Sequence, residues 1–316
     1  MRRRYQGALE SAVAACLKYL LNCQSPDGYW TDWQLPPGES SAWTTGFIGY
    51  KLHSLPPDLL LETATARRAA AQWLLENESP GGGWGYNETV GADADSTAYG
   101  ILFLSLEDIE IPDRNYQFLR KFQCPDGGFS TYRSDDGLGS WGVSHPEVSA
   151  IALLALMTKY SPRSPIIQRG IKYILGEYPP SGLWNSFWWP SPLYGTEASL
   201  SLLCKIGVRF NPAKTFESLI ALTPHNPFES ALLISCILHT SLAPGFPVVW
   251  PLVDQLIAAQ QLDGSWNSEP ILRLTRRDCC EPWKFADAGP MYADPNRLFT
   301  SSTVLGALCQ AHAFLP

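Results

Sequence analysis

Gln24-Ser-Pro-Asp-Gly-Tyr-Trp30 is a turn that the chain repeats. It returns as Glu78-Ser-Pro-Gly-Gly-Gly-Trp84, Gln123-Cys-Pro-Asp-Gly-Gly-Phe129, Glu177-Tyr-Pro-Pro-Ser-Gly-Leu-Trp184 and Gln261-Leu-Asp-Gly-Ser-Trp266. A weaker copy, lacking the Gly and the aromatic, falls at Thr223-Pro-His-Asn-Pro227. A period of roughly fifty residues marks a repeat architecture. Each turn follows an amphipathic helix that carries an aromatic-aliphatic pair, such as Tyr19-Leu20, Trp73-Leu74, Phe118-Leu119 or Tyr173-Ile174. Each precedes a more apolar helix rich in small residues, beginning near Trp43, Asp95, Glu147, Glu197, Glu229 and Thr300.

The pattern predicts an all-α chain, a single (α/α)6 toroid of six helical hairpins over residues 1–316. The polar helix of each pair faces outward and the apolar one inward. Closing the ring removes the exposed ends that an open solenoid must cap. The Gly of each turn serves a positive φ or a close approach, and the aromatic packs back on its helix. All six inner helices then run the same way, and their N-termini gather at one end. Trp43, Asp93, Asp95, Ser96, Thr97, His145, Glu147, Tyr194, Glu197, Phe228, Glu229 and Arg297 converge there on a central cavity. Such a pocket, aromatic and carrying a few polar groups, is the expected site. The long segment 267–297, with Trp283 and Tyr292, is expected to lie over it as a lid.

Composition narrows the function. Charged residues are 17 % and aromatics 12 %, with twelve Trp, so a large aromatic interior is expected. A net charge of -7 and the lack of a basic stripe exclude a nucleic-acid partner. The eight Cys form no CxxC pair, and several lie in apolar helical runs, so they read as reduced thiols of a cytoplasmic protein. Arg2, Arg3 and Arg4 precede an apolar stretch, but Glu10 and Lys18 interrupt it and argue against a secretory leader. No run reaches the ~18 apolar residues of a membrane span.

The chemistry centres on Asp93-Ala-Asp95-Ser-Thr97, which opens the second inner helix. Two carboxyls one residue apart repel, and each makes the other harder to ionise. A carboxylic acid still protonated near neutral pH is suited to protonating a weak base such as an alkene. The same residues suit a helix N-terminus, where Asp and Ser cap free N–H groups. The two roles are compatible, with Asp93 as the cap and Asp95 as the proton donor.

The repeated Gln/Glu-turn-Gly-aromatic motif on alternating helices resembles the superfamily of squalene-hopene cyclases, oxidosqualene cyclases and protein prenyltransferase β subunits. The likeness runs from Ala8 to Leu315. Within that group the acidic stretch is similar to the Asp-x-Asp-Asp-Thr-Ala motif of class II terpene cyclases, whose middle Asp protonates an alkene or epoxide. The resemblance implies that Asp95 is the donor and Asp93 its acidic neighbour, with Ser96 in place of the third Asp and Thr97 matching the Thr. Pro146-Glu147-Val-Ser-Ala150 resembles the Asp/Glu-Val-Thr-Ala stretch of squalene-hopene cyclases, which a His follows. Ile151 stands at that position here, and His145 either reaches the acid from its loop or caps a helix. Triterpene cyclases carry two toroids. A single one implies a smaller or differently enclosed substrate, a second subunit or homodimer, or an altered activity.

Other motifs divide the readings. Asp278-Cys279-Cys280 with His312 does not gather a zinc set, because no His opens the last inner helix. Asp135-Asp136 reads as a loop and not as the Asp-Asp-x-x-Asp of a metal-dependent ionisation. Arg273, Arg276 and Arg277 serve either diphosphate capture at the pocket rim or a solvated face. Trp188 and Trp189 serve either cation stabilisation or loop packing.

The expected activity is therefore a protonation-initiated terpene cyclase. Asp95 is its general acid, assisted by Asp93, Ser96 and His145, and it acts on an apolar isoprenoid or prenylated small molecule. Trp43, Trp188, Trp189, Tyr194 and Phe228 shape the cation, and Glu147, Glu197 or Glu229 ends the reaction. No metal site or redox cofactor is implied, and Mg²⁺ enters only with a diphosphate substrate. So apolar a substrate also allows peripheral membrane contact. Two alternatives stand beside this one. One is an enzyme of the same fold acting on a non-terpenoid apolar substrate. The other is a non-catalytic isoprenoid-binding subunit.

Overall fold

The computed structural model describes residues 2–208, 210–241 and 246–314. Six helices form an inner ring: α2 (Ala42–Leu52), α5 (Ala94–Leu106), α7 (Pro146–Leu156), α9 (Leu193–Ile206), α11 (Pro227–His239) and α13 (Leu298–Ala313). Each packs on the next, and α13 packs on α2 to close the ring. These helices are apolar nearly all round. Every residue of α7 is buried, as expected for a helix with neighbours on every side. Outside them lie α1 (Arg2–Asn22), α4 (Ala64–Glu76), α6 (Asp113–Arg120), α8 (Pro165–Gly176), α10 (Ala213–Ile220) and α12 (Phe246–Ala259). A short extra helix, α3 (Pro57–Glu62), joins α2 to α4, and the repeat pattern did not signal it. The basic-apolar stretch at the start of the chain is helix α1, with Leu9, Val13, Cys16, Leu17 and Leu20 in the core.

The repeated turn is a clamp between three helices. Its Trp donates the indole N–H to a carbonyl near the end of the preceding outer helix. The pairs are Trp30 to Leu20 at 2.8 Å, Trp84 to Leu74 at 2.8 Å, Trp184 to Ile174 at 2.8 Å and Trp266 to Leu256 at 2.7 Å. The aromatic residue's backbone N–H donates to a hydroxyl in the first turn of the following inner helix. Thr45 receives Trp30, Thr97 receives Trp84, Ser149 receives Phe129 and Ser301 receives Trp266, at 2.7–3.1 Å. The Gln opening the motif reaches the next outer helix. Gln24 donates to the Ala66 carbonyl at 2.8 Å and Gln123 to that of Ile166 at 2.8 Å. Gly28 has a φ of +98°, and a Cβ there would lie 2.7 Å from the Ala69 carbonyl oxygen, so only Gly fits.

The last turn is read one residue out of register from sequence alone. Gln260, not Gln261, lies six residues before its Trp, as Gln24 and Gln123 do. Gln260 donates to the Ala12 carbonyl of α1 and to Gly264, both at 2.9 Å, and so ties the last repeat to the first. Gln261 reaches only the Ala259 carbonyl at the surface.

Two small ribbons accompany the helices. β1 (Asp32–Leu35) pairs with β2 (Gly38–Ser40), and β3 (Leu272–Arg273) pairs with β4 (Met291–Tyr292), both antiparallel. The predicted long loop therefore contains a strand pair. Its route is tied by Arg273 and Thr275, which donate to the backbone of residues 186–189. Asp32 accepts four backbone N–H groups, from Trp33, Asn296, Leu298 and Phe299, and so caps α13 at the seam of the ring.

Each neutral hydrogen bond of this kind contributes about 0.5–1.5 kcal/mol, and more when its loss strands a buried partner. Gln260→Ala is expected to lower stability by about 1–2 kcal/mol, while Gln261→Ala changes it by less than about 0.5 kcal/mol. Denaturant unfolding of the two variants checks this.

Candidate active site

The loop after each turn leads to an inner-helix N-terminus, so these loops all lie at one end of the ring. Between them is a cavity of about 600 Å³, within the range that encloses a small-molecule ligand. Trp43, Asp93, Asp95, Ser96, Glu147 and Tyr194 reach it from helix starts, and Trp188 and Trp189 from a connecting loop. Apart from Arg273 and Arg277, sequence reasoning missed the rest of the wall. Leu35, Pro36 and Pro37 come from the β1–β2 ribbon, and Tyr86 and Val90 from the second loop. Thr131, Tyr132 and Trp141 come from the third loop, Leu272, Arg273, Leu274 and Arg277 from the last, and Tyr99 from one turn into α5. Position was the available signal, because every segment between a turn aromatic and an inner helix opens on this end.

The walls are aromatic and tightly stacked. Trp189 stacks on Tyr194 with ring centroids 4.2 Å apart, and on Phe299 at 5.3 Å. Trp43 lies against Phe299 at 5.1 Å. At the rim Trp141 meets Trp188 edge-on at 5.2 Å and Tyr132 face-on at 5.7 Å, and the Arg277 guanidinium covers the Trp141 ring at 4.9 Å. The Tyr99 and Tyr194 hydroxyls share a hydrogen bond of 2.8 Å, and burial raises both phenols well above the usual range.

The acidic pair is held asymmetrically. Asp93 is the N-cap of α5, and its two oxygens accept from the Ser96 N–H and the Ser96 hydroxyl, each at 2.8 Å. That arrangement suits a carboxylate. Asp95 accepts one hydrogen bond, from the Thr131 hydroxyl to Oδ2 at 2.9 Å, and its remaining exposure is to the cavity. Burial raises both acids above the ordinary aspartate range, and repulsion from Asp95 raises Asp93 further. Such a pair titrates as a unit. Its hydrogen bonds are unequal, with two donors on Asp93 and one on Asp95. At the start of the neighbouring helix α7, Glu147 is pushed up to about 7, chiefly by burial and also by Asp95. Its Oε1 accepts the backbone N–H groups of Phe187 at 2.5 Å and Trp188 at 3.1 Å, while its buried Oε2 has no hydrogen-bond partner.

Other expected site residues lie elsewhere. The Thr97 hydroxyl is engaged by the Trp84 backbone, as its repeat position requires. His145 is buried, stacked on Phe187 at 3.7 Å and bonded to the Ser140 carbonyl at 3.0 Å. Burial pushes its pKa down to about 3, so it stays neutral and does not reach the acid. Phe228 stands behind Trp189 at 5.2 Å, a second layer of the wall. Although burial opposes its charge, Glu197 is held below the usual range by Lys51 and His239, the latter 3.6 Å away. Glu229 accepts the His225 N–H at 2.9 Å in the cap of α11. Trp283 is exposed on the outside of its loop, and Tyr292 serves the β3–β4 pair. Arg297 pairs with Asp263 at 2.8 Å and covers Tyr19 at the N-cap of α13. The three clustered arginines separate as well. Arg273 lies on the cavity wall but is buried under backbone carbonyls, Arg276 pairs with Asp278 and Asp287, and Arg277 reaches the cavity from the surface. Ile151 is buried in α7 and is not on the cavity wall.

Among the described residues no three His, Cys, Asp or Glu side chains gather to hold a metal ion, and no helix is long and apolar enough to cross a membrane. All eight cysteines are free thiols.

No family model matches the chain. Sporulenol synthase of Bacillus subtilis is 24 % identical over 242 residues, 65 % of this chain and 36 % of that enzyme. The chain thus spans about a third of the length of this curated relative. Among solved structures, a variant of the type II terpene cyclase MstE from Scytonema superposes with a TM-score of 0.86 at 21 % identity, over 98 % of this chain and 99 % of the other. A protein from Actinoplanes superposes with a TM-score of 0.87 at 25 % identity, over 96 % and 99 %. The fold is that of the type II terpene cyclases, in a version where one toroid is the whole matched chain.

Proposed function

We propose that this chain is a terpene cyclase that starts a cationic ring closure by protonating the terminal alkene of a linear isoprenoid, with Asp95 as the acid. The observation that carries this reading is a cavity-facing carboxyl, raised by burial above the ordinary aspartate range and set among aromatic rings. Proton transfer breaks the Asp95 O–H bond and forms a C–H bond from the alkene's π electrons, leaving a tertiary cation and a carboxylate. Trp43, Trp188, Trp189 and Tyr194 present ring faces to that cation and no strong nucleophile, each worth about 0.5–2 kcal/mol once water is excluded. Sporulenol synthase is an enzyme named for its product, and MstE structures hold geranylgeranyl dihydroxybenzoate as substrate and merosterolic acid A as product. Both likenesses support the reading.

The rim suggests the head group. Tyr132, Trp141 and Trp188 with Arg277, the exposed cation on the wall among the described residues, suit a prenylated aromatic ring better than a diphosphate, which carries several charges. The reaction is redox-neutral and calls on no redox cofactor. Besides the acidic pair, Glu147 is the carboxyl on the cavity wall among the described residues, and we assign it the final proton.

Asp95→Asn removes the transferable proton without changing side-chain volume. Turnover of a geranylgeranylated hydroxybenzoate is expected to fall at least ~10³-fold while thermal unfolding stays near wild type. Wild-type turnover is also expected to fall as pH rises, because the active form is the protonated one. Its midpoint lies well above the ordinary aspartate value near 4. Retained turnover in the Asn variant sinks the acid assignment. Bound but unchanged substrate in the wild type points to a binding protein instead. For Glu147→Gln, substrate consumption within about tenfold of wild type and a changed ratio of alkene isomers to water-quenched alcohols are expected. An unchanged product mixture by gas chromatography contradicts that role.

A further inference from the structure

Asp95 has one protein hydrogen-bond donor among the described residues, and that donor is itself held. The Trp188 indole N–H donates to Thr131 Oγ1 at 2.8 Å, and Thr131 Oγ1–H donates to Asp95 Oδ2 at 2.9 Å. The Thr131 carbonyl accepts the Ala94 N–H at 3.0 Å, which fixes the loop against the first turn of α5. All three side chains lie on the cavity wall. His145 and Ile151, the positions from which an acid-activating group was expected, do not approach the acid.

We infer that the chain Trp188 N–H to Thr131 O–H to Asp95 Oδ2 tunes and orients the acid, making Thr131 and Trp188 positioning residues for proton delivery. This rests on the reading of Asp95 as the proton donor. With one lone pair of Oγ1 occupied by the indole, the Thr131 hydrogen points at Oδ2, and the transferable proton is left on Oδ1, which no donor among the described residues contacts. As that proton leaves for the alkene carbon, negative charge grows on the carboxyl. The two aligned donors then strengthen together, as an oxyanion site does for a developing alkoxide. Burial alone makes a protonated but weak acid. A donor fixed on Oδ2 restores acidity without supplying the proton. The Thr131 bond acts in that sense, opposing the burial that raises the acid. Trp188 thereby has two functions on one ring, with its N–H in this chain and its edge toward Trp141 at the rim.

Thr131→Val keeps the side-chain shape and removes the donor. Turnover on the low-pH plateau is expected to fall about 10- to 100-fold. The pH at which activity is lost should move upward, because an unassisted buried acid holds its proton more tightly. Thr131→Ser restores both, and Trp188→Phe, which keeps an aromatic wall, shows a smaller loss with the same upward move. A purely structural Thr131 leaves the pH limb in place. The inference is overturned if Thr131→Val leaves that limb unmoved, or if Thr131→Ser is as impaired as Thr131→Val. Should Thr131→Val not fold, the Ser and Phe variants decide by the same two readouts. If Asp95→Asn is inactive while these variants behave as wild type, the acid assignment stands and only this chain of donors fails.

Discussion

Closure of the inner ring, where α13 packs on α2, is the constraint on which the site depends. Helices as apolar as α7 need a neighbour on every side, and six hairpins supply one only when the last meets the first. Closure makes the inner helices parallel, and parallel helices bring their N-termini and connecting loops to the same end. The cavity, its aromatic lining and the acidic pair follow from that. Several features guard the seam itself. Asp32 caps α13 from the first loop, and Gln260 reaches α1. Trp33 and Arg297 adopt left-handed backbone there, with φ of 59° and 53°, a strain that tight surroundings must hold in place.

The same geometry explains how a carboxylic acid stays protonated. Aspartate in water is ionised at neutral pH. Placing two of them at a buried helix start penalises charge on both and raises both above the ordinary aspartate range, while the Ser96 N–H and hydroxyl hold Asp93 in place. Ser96 stands where the resembled motif has a third acid. Its hydroxyl gives Asp93 a donor where another carboxylate would add repulsion. The serine is thus a substitution that works with the asymmetry of the pair.

The toroid was legible because its turns recur, and the repeat position of each residue forecasts its contacts. Thr45, Thr97, Ser149 and Ser301 hold equivalent clamps, which is why Thr97 belongs to the scaffold although it adjoins the acids. The inner-helix residues facing the cavity were legible for the same reason: Trp43, Asp95, Glu147 and Tyr194 each sit within the first turn of their helix. Glu197 starts the apolar run in sequence but sits a turn deeper, because α9 begins at Leu193, and its charge is taken up by Lys51 and His239. What the pattern could not show is the path of the loops. Thr131, Tyr132, Trp141 and Arg277 have no periodicity to read, and they meet only because the ring folds their segments over one opening. His145 shows the converse. It is close to Glu147 in sequence, yet its ring turns to Ser140 and Phe187, away from the acid.

The central claim is that the protein delivers a proton to carbon. Turnover of an alkene-terminated prenylated aromatic in D₂O, followed by mass spectrometry and deuterium NMR of the product, tests it most directly. One deuterium per molecule is predicted on the ring carbon that was the CH of the terminal double bond. A cyclised product with no deuterium at that carbon would contradict the account.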